Sequence, residues 1–396
     1  ALESGDIFAQ QSAQELLPLV QQAKLLAKQY DAVIANPPYM GGGKMNAILK
    51  DFAKKKFPDS KSDLFSMFIE RGFTWCKDSG FNSMVTMQSW MYLSSYEAIR
   101  EKLLNDRTFS CMAHMGNGVM GIAFGTAATV MLNNHISHYS GSFSYFEYDD
   151  INENGIPKQF PVKNKRLKTA KPDDFKKIPG SPIAYWLNNN IYNFFKNSPN
   201  ICTVSDPRQG MATTDNSTYL RSWHEITFEK FGVNYENAKL GNKNGCYWFP
   251  YENNGQELID LVTSKYPKIS DPEFVIKNRK YYFRESITWT DLTSSMLSAR
   301  YQPKGSIFDV SGHSTFIVDK KVQKIILAFL NSKLGYELSR VLNESFHFQV
   351  GDYKKLPYPE KLENLIHEDN INKLIQISKF DWNSSLYTTK IDNSLK

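Results

Sequence analysis

Residues 36–39 read Asn-Pro-Pro-Tyr, directly after the mostly apolar run Asp31–Ala35. The two prolines fix φ and remove two backbone donors. Asn36, ahead of a proline, is driven toward an extended conformation. The stretch therefore predicts a short buried strand that ends in a stiff turn displaying one amide and one aromatic ring. At such a tip the Asn36 side-chain oxygen and the Pro37 carbonyl can both accept hydrogen bonds, and two acceptors near one point suit a planar NH2 group. The exocyclic amine of adenine is a poor nucleophile because its lone pair is delocalised into the ring. Holding both its protons on fixed acceptors favours the pyramidal form, whose lone pair can attack; this takes preorganised dipoles rather than a strong base. Tyr39 offers a face for stacking, worth about 1–3 kcal/mol per base. A base inside a duplex cannot reach such a tip and must be flipped out. The competing reading is an ordinary Asn-Pro turn after a strand, since a four-residue match is short.

The elements that would position this tip alternate between strand and helix over the first 150 or so residues. After the strand at residues 31–35, Leu64, Phe65, Phe68, Ile69 and Phe73 share one helical face, with Gly80 as a stop. Residues 81–87 read as a second strand. A helix then starts with Ser94 and Glu97 at capping-box spacing and carries Ile99, Leu103 and Leu104 on one stripe. Two further β-like runs, "GTAATVMLNN" and "SGSFSYFEYDD", follow without a helix between them. Alternation of this kind implies a mostly parallel sheet, and the closing pair implies an antiparallel edge. Gly41, Gly42 and Gly43 follow the tip and read as a mobile loop or a simple turn. They are not a phosphate-binding loop, because Met45 follows Lys44 where Ser or Thr is required.

Composition shifts between Lys158 and Lys177, where eight basic residues stand against two acidic ones among several prolines. This reads as an extended connector. Beyond about Ile201 the chain is rich in Asn, Gly, Trp and Tyr, which suggests an irregular α+β domain. Within it, Val322, Ile325, Ile326, Phe329 and Leu330 repeat at helical spacing and predict a long helix interrupted by Gly335. The full chain of 396 residues is 41% hydrophobic and 14% aromatic, enough for real cores. Its net charge of +6 is a mild lean toward polyanionic partners. The four cysteines form no CxxC pair and read as reduced, which points to the cytoplasm; the seven histidines form no zinc pattern. The most apolar run is too short and glycine-rich to span a bilayer, so no membrane partner is expected. The chain opens without a Met and already inside what reads as folded sequence, so it is expected to be a piece of a longer protein.

The Asn36–Tyr39 tetrapeptide after its strand resembles the catalytic motif of amino-methyltransferases that use S-adenosylmethionine. The opening "SGDIF" resembles that family's third motif, whose acidic residue contacts the cofactor's adenine. The resemblance makes Asp6 a cofactor ligand, with Ile7 and Phe8 as pocket wall; an Asp there also reads as a helix N-cap. "DLFSMFIERGF", "GFNSMVTMQSWM" and "GIAFGTAATVML" resemble later motifs in the right order. In the last of these the matching residue, Phe124, is implied to pack on the flipped base; a core Phe is the alternative. Longer stretches, including "QGMATTDNSTYLRSWHEI", "ITWTDLTSS" and "LNSKLGYELSRVLN", are similar to the adenine-specific DNA methyltransferases of the BREX phage-defence systems (the PglX family) and to related single-chain restriction–modification enzymes.

That resemblance implies a partial Rossmann-like class I methyltransferase α/β sheet, followed by an irregular α+β target-recognition domain that reads DNA. The expected division is residues 1–155 for the C-terminal part of the catalytic domain and 156–200 for the basic connector. Target recognition then takes 201–360, with a long coupling helix at about 320–343, and a C-terminal segment takes 361–396. The glycine-rich motif that holds the methionine end of the cofactor is absent from these residues, so the chain is expected to bind S-adenosylmethionine poorly. Expected partners are double-stranded DNA and, in addition, other phage-defence proteins or a DNA-mimic inhibitor. Lys163, Lys165, Arg166, Lys168, Arg279, Lys280 and Arg300 are the phosphate-contact candidates; the alternative for each is a solvated basic surface. Competing functions are a restriction enzyme with its nuclease elsewhere, methylation of a glutamine side chain or RNA, and a non-catalytic fragment that recognises DNA or an inhibitor protein.

Overall fold

The computed structural model describes most of residues 3–384. Residues 1–2, 4, 163–164, 213–214, 221–224, 231, 233–235, 237–242, 246–247, 250–251, 254–274, 294–295, 359–360 and 385–396 lie outside the described residues. The chain divides into two units, Ala1–Lys196 and Asn197–Lys396.

The first unit is built on a six-stranded mixed sheet. Helix α1 (Ile7–Ala27) leads into β1 (Tyr30–Ala35), and α2 (Ala47–Lys56) and α3 (Leu64–Trp75) follow. The α3 stripe buries Phe65, Ile69 and Phe73, as the 3.6-residue spacing predicts. Its end is set differently from expectation. The helix passes at Cys76 straight into β2 (Cys76–Met87), and Gly80 lies inside that strand. A Cβ at Gly80 would meet three backbone oxygens at 3.0 Å, so the glycine permits a close backbone approach rather than a helix stop.

Helix α4 (Glu97–Asp106) follows a short 3-10 turn at Ser94–Tyr96, and no side chain caps it. The Ser94–Glu97 capping box is therefore not formed; Ser94 belongs to the preceding turn. Strands β3 (Thr108–Met115), β4 (Thr126–Leu132), β5 (Gly141–Phe146) and β6 (Lys168–Ala170) complete the sheet in the order β1-β2-β4-β3-β5-β6. The β1–β2 and β3–β5 pairs are parallel. The antiparallel strand β4 sits inside the sheet between β2 and β3, so the expected antiparallel edge is instead an insertion. An antiparallel edge does occur at β6, which comes from the basic stretch read as a connector.

Strand β1 differs most from its sequence reading. An apolar run predicts burial on both faces, yet β1 ends the sheet and Ile34 is 79% exposed. The same side of the sequence supplies α1, which has no buried residue.

The first unit's interior is pinned by Arg100, fully buried and without a carboxylate in its hydrogen bonds. Its guanidinium donates to the carbonyls of Trp90 and Leu93 at 2.8 and 2.6 Å, and to the Gly180 carbonyl at 2.7 and 3.1 Å. Burial lowers its pKa to about 10, still far above neutrality. The segment around Gly180 is thereby tied to the loop that follows β2.

The second unit carries a short antiparallel ribbon, β8 (Trp248–Phe249) with β9 (Glu252–Asn253), and a four-stranded antiparallel sheet. The larger sheet joins β7 (Asp206–Arg208), β10 (Ser286–Thr290), β11 (Ala299–Gln302) and β12 (Gly312–Phe316) in the order β11-β10-β12-β7. The expected long helix is two, α5 (Lys320–Leu330) and α6 (Lys333–Leu342). The break falls at Asn331–Ser332, where Ser332 caps the second helix by accepting the Gly335 N–H at 3.0 Å. Gly335 does not interrupt anything. A Cβ there would stand 2.2 Å from the Phe329 carbonyl oxygen, so the glycine lets the second helix start against the end of the first.

Candidate active site

β1 ends at Ala35, and the corner Asn36-Pro37-Pro38-Tyr39 stands at the carboxyl end of the strand, where open α/β sheets bind ligands. Asn36 and Pro38 are exposed, Pro37 is buried, and Tyr39 is half-buried. The Asn36 side chain has no hydrogen-bond partner among the described residues. Tyr39 is held from two sides: its hydroxyl donates to the Val85 carbonyl at 3.4 Å, and its ring meets Phe65 edge-on at 5.9 Å. Burial raises the Tyr39 phenol above its ordinary pKa, so it stays neutral at physiological pH.

The residue after the corner is fixed by Asp63, a buried side chain that sequence reasoning missed. One Asp63 oxygen accepts the Met40 N–H at 2.9 Å and the Phe65 N–H at 3.2 Å. It thus caps α3 and clamps the corner with the same atom. The signal was present in "SDLF", an Asp just before an apolar helical stripe. The Met40 carbonyl accepts the Leu64 N–H at 3.1 Å, and the Gly42 N–H donates to the Ser62 carbonyl at 3.1 Å. The glycine stretch is consequently pinned to Ser62–Asp63 and turns back through Lys44, rather than forming the loose loop its composition suggested.

Phe124 precedes β4 and is 36% exposed, with its ring 5.9 Å from Tyr39 at 58°. The structure therefore brings the two stacking candidates together beside Asn36. Asp6 is the N-cap of α1, accepting the Phe8 N–H at 2.9 Å, and Ile7 and Phe8 are 76% and 81% exposed on its first turn.

The basic candidates fall in several settings. Lys163 lies outside the described residues. Lys165 is exposed, and Lys168 is half-buried on the edge strand β6. Arg166 is engaged within the unit: it pairs with Glu147 and with Asp150 at 3.5 Å, and its guanidinium lies 5.1 Å over the Tyr145 ring. In the second unit Arg279 and Lys280 are exposed on one turn, and the Lys280 ammonium sits 5.4 Å from the Tyr281 ring. Arg300 is exposed on β11 and donates to the Thr290 hydroxyl at 3.0 Å. Among the described residues no group of three or more His, Cys, Asp and Glu side chains could hold a metal ion. No helix among them is long and apolar enough to cross a membrane.

The first unit is a Rossmann-like mixed α/β unit with the corner at the carboxyl end of β1, and an irregular α+β unit follows it in the chain. Comparison with known proteins makes this more specific. The family described as Eco57I restriction-modification methylase matches residues 6–119. Over 394 residues, 96% of its length, the chain is 40% identical to the adenine-specific methyltransferase BrxX of Escherichia coli O9:H4 (strain HS). It is 32% identical over 415 aligned residues, again 96% of its length, to the adenine-specific methyltransferase PglX of Lacticaseibacillus casei (strain Zhang). The chain is thus PglX-like along nearly all of its sequence, and it spans about a third of the length of these relatives (32% and 34%). Among solved structures, the type IIL restriction-modification enzyme MmeI in complex with DNA aligns with 90% of this chain and 50% of its own. The TM-score is 0.50 and the identity 12%, which speaks to the fold.

Proposed function

We propose that this chain is the catalytic corner and target-reading part of a site-specific DNA adenine N6-methyltransferase of bacterial phage defence. The observation that carries the reading is the corner itself: an exposed amide on a backbone clamped by Asp63, with Tyr39 and Phe124 in ring contact beside it. The Asn36 side-chain oxygen and the Pro37 carbonyl accept the two protons of the adenine amine and hold its lone pair out of conjugation. The flipped base stacks on the outer face of the Tyr39–Phe124 pair, since the two rings already touch and leave no slot between them. The support is strongest where rigidity is needed, because the Met40 N–H and carbonyl are both bonded.

S-adenosylmethionine supplies the methyl group when bound. Asp6, which caps α1, would meet its adenine end with its carboxylate, and Ile7 and Phe8 would supply the exposed apolar surface of the same turn. The second unit, residues 201–360 with its paired helices, serves as the target-recognition domain, and the basic stretch 156–200 leads into it. Lys163, Lys165, Lys168, Arg279, Lys280 and Arg300 contact phosphates; Arg166 shapes the surface beside them through its acidic partners. Double-stranded DNA is the substrate, and defence proteins or a DNA-mimic inhibitor would meet the same surface.

The test uses the full-length protein, duplex DNA and labelled S-adenosylmethionine. Asn36→Ala is expected to lower methyl transfer by about 10²–10³-fold, the scale for losing one preorganised polar partner. Undiminished methylation of DNA by that variant would remove the corner from the chemistry.

A further inference from the structure

Against Gly125, the residue after Phe124, lies a largely buried polar chain that the reaction as described does not use. Gln88 follows the last residue of β2, and its backbone N–H donates to the Gly125 carbonyl at 3.0 Å. Its side chain lies in the space that a Cβ at Gly125 would need: such an atom would stand 2.1 Å from the Gln88 Oε1. That same oxygen is 2.7 Å from His114 Nε2. His114 is buried, and its Nδ1 is 3.1 Å from the Tyr185 hydroxyl. A carbonyl oxygen can only accept, so Nε2 carries the ring proton. In a neutral imidazole Nδ1 is then the acceptor, and Tyr185 donates. Burial keeps the ring neutral, with its pKa lowered to about 4. The Tyr185 ring is itself fixed, stacked on Phe143 at 4.8 Å and 11°.

The chain therefore runs Tyr185 to His114 to Gln88 to the Gly125 backbone, one residue from the ring that contacts Tyr39. Each link is satisfied, and buried satisfied networks hold a single arrangement. We propose that Gln88, His114 and Tyr185 are positioning residues that set the backbone at Gly125 and so the angle of Phe124 toward the flipped base. The proposal rests on the reading of the corner as the target-base site. A Cβ at Gly125 would displace the Gln88 amide from its place beside His114.

The experiment compares full-length wild type, Asn36→Ala, Gln88→Ala, Gln88→Glu and Tyr185→Phe. It measures kcat and the KM for S-adenosylmethionine, and the fluorescence of 2-aminopurine placed at the target position. Gln88→Ala is expected to lose about 10- to 100-fold in kcat, the scale of a small misplacement. The KM for S-adenosylmethionine stays unchanged and the flipping signal weakens. Gln88→Glu keeps an acceptor for the His114 N–H and should recover most of the rate. Tyr185→Phe keeps the ring and removes one proton donor, so it should shift kcat in the same direction by less. Wild-type kcat in Gln88→Ala, or no recovery in Gln88→Glu, overturns the positioning role. Retained methylation in Asn36→Ala would instead strike at the reading of the corner, so the two failures are distinguishable.

Discussion

Among the described residues each unit has one fully buried tryptophan whose indole N–H is spent inside that unit, and the two are spent differently. Trp90 donates at 3.0 Å to the Thr86 hydroxyl, four residues earlier, and stacks at 6.2 Å on Phe109. Trp289 donates at 2.9 Å to the Phe348 carbonyl, 59 residues later, and stacks at 4.8 Å on Tyr353. The first is a local pin just past the end of β2, in a mixed sheet. The second is a long-range pin: it holds the Phe346–Phe348 strand of chain against the end of β10. Two more bonds run between the same segments, Thr293 N–H to the Phe346 carbonyl and Phe348 N–H to the Asp291 carbonyl, both at 2.8 Å. The two tryptophan pins therefore differ in reach: the first closes within four residues of chain, and the second joins segments 59 residues apart. The corner has long-range support of its own, through Asp63 and through the Val85 carbonyl that Tyr39 meets.

The strongest way to break this comparison is Trp289→Ala. Losing a fully buried tryptophan costs about 3–5 kcal/mol, and here the Phe348 carbonyl also loses its donor. Denaturant unfolding should show that loss. Hydrogen exchange should speed up at Thr293 and Phe348 while the amides of Met40 and Phe65 around the corner keep their protection. Uniform loss of protection in both units would mean that the two pins are not independent.

Acid sharpens the contrast through two buried histidines. Burial lowers His114 from its ordinary 6.5 to about 4. The unfolded chain takes up that proton near 6.5 and the folded one only near 4. The stabilisation is therefore whole above pH 6.5 and is lost as pH falls from 6.5 toward 4, up to about 3 kcal/mol. In the second unit burial also lowers His313, but Asp291 and Asp309 oppose it by favouring the charged ring. Acid should thus weaken the first unit more. Urea midpoints measured across this range should fall steeply in wild type and less steeply in His114→Asn. Equal slopes in the two proteins would assign the acid sensitivity to other groups.

Much of the corner was legible in the sequence because proline and the residue before it restrict the backbone locally. The α3 stripe and β4 were legible for the same kind of reason, being periodic within one element. What stayed hidden was set between elements. An apolar run such as Asp31–Ala35 gives no sign that its strand ends the sheet. The strand β3 (Thr108–Met115), with His114 in its interior, does not stand out because its pattern mixes Ser, Cys and His with apolar residues. Gly80 and Gly335 read as helix breakers, yet each marks a close approach to backbone from elsewhere. Asp63 was visible as a cap but not as a clamp, since its second donor, Met40, lies 23 residues away. Gln88 was visible only as part of a motif; its partners come from β3 and from Gly125, just ahead of β4.

The smallest predicted effect separates two arginines that the sequence presents as equivalent. Arg166 in the first unit pairs with Glu147 and Asp150 and covers Tyr145, so its charge is already spent on neighbours. Arg300 in the second unit is exposed and donates to a neutral hydroxyl, that of Thr290. A cation that neutralises a phosphate releases about one counterion, so its removal should lower the salt slope of DNA binding by about 1. Arg300→Ala in the full-length protein is expected to show that change by fluorescence anisotropy at several salt concentrations. Arg166→Ala should leave the slope near its wild-type value, because removing it also frees two carboxylates whose repulsion of DNA lowers affinity without removing a phosphate contact. If Arg166→Ala lost the larger share of the slope, the acidic partners would have to release it on binding, and the first unit would carry more of the DNA than the second.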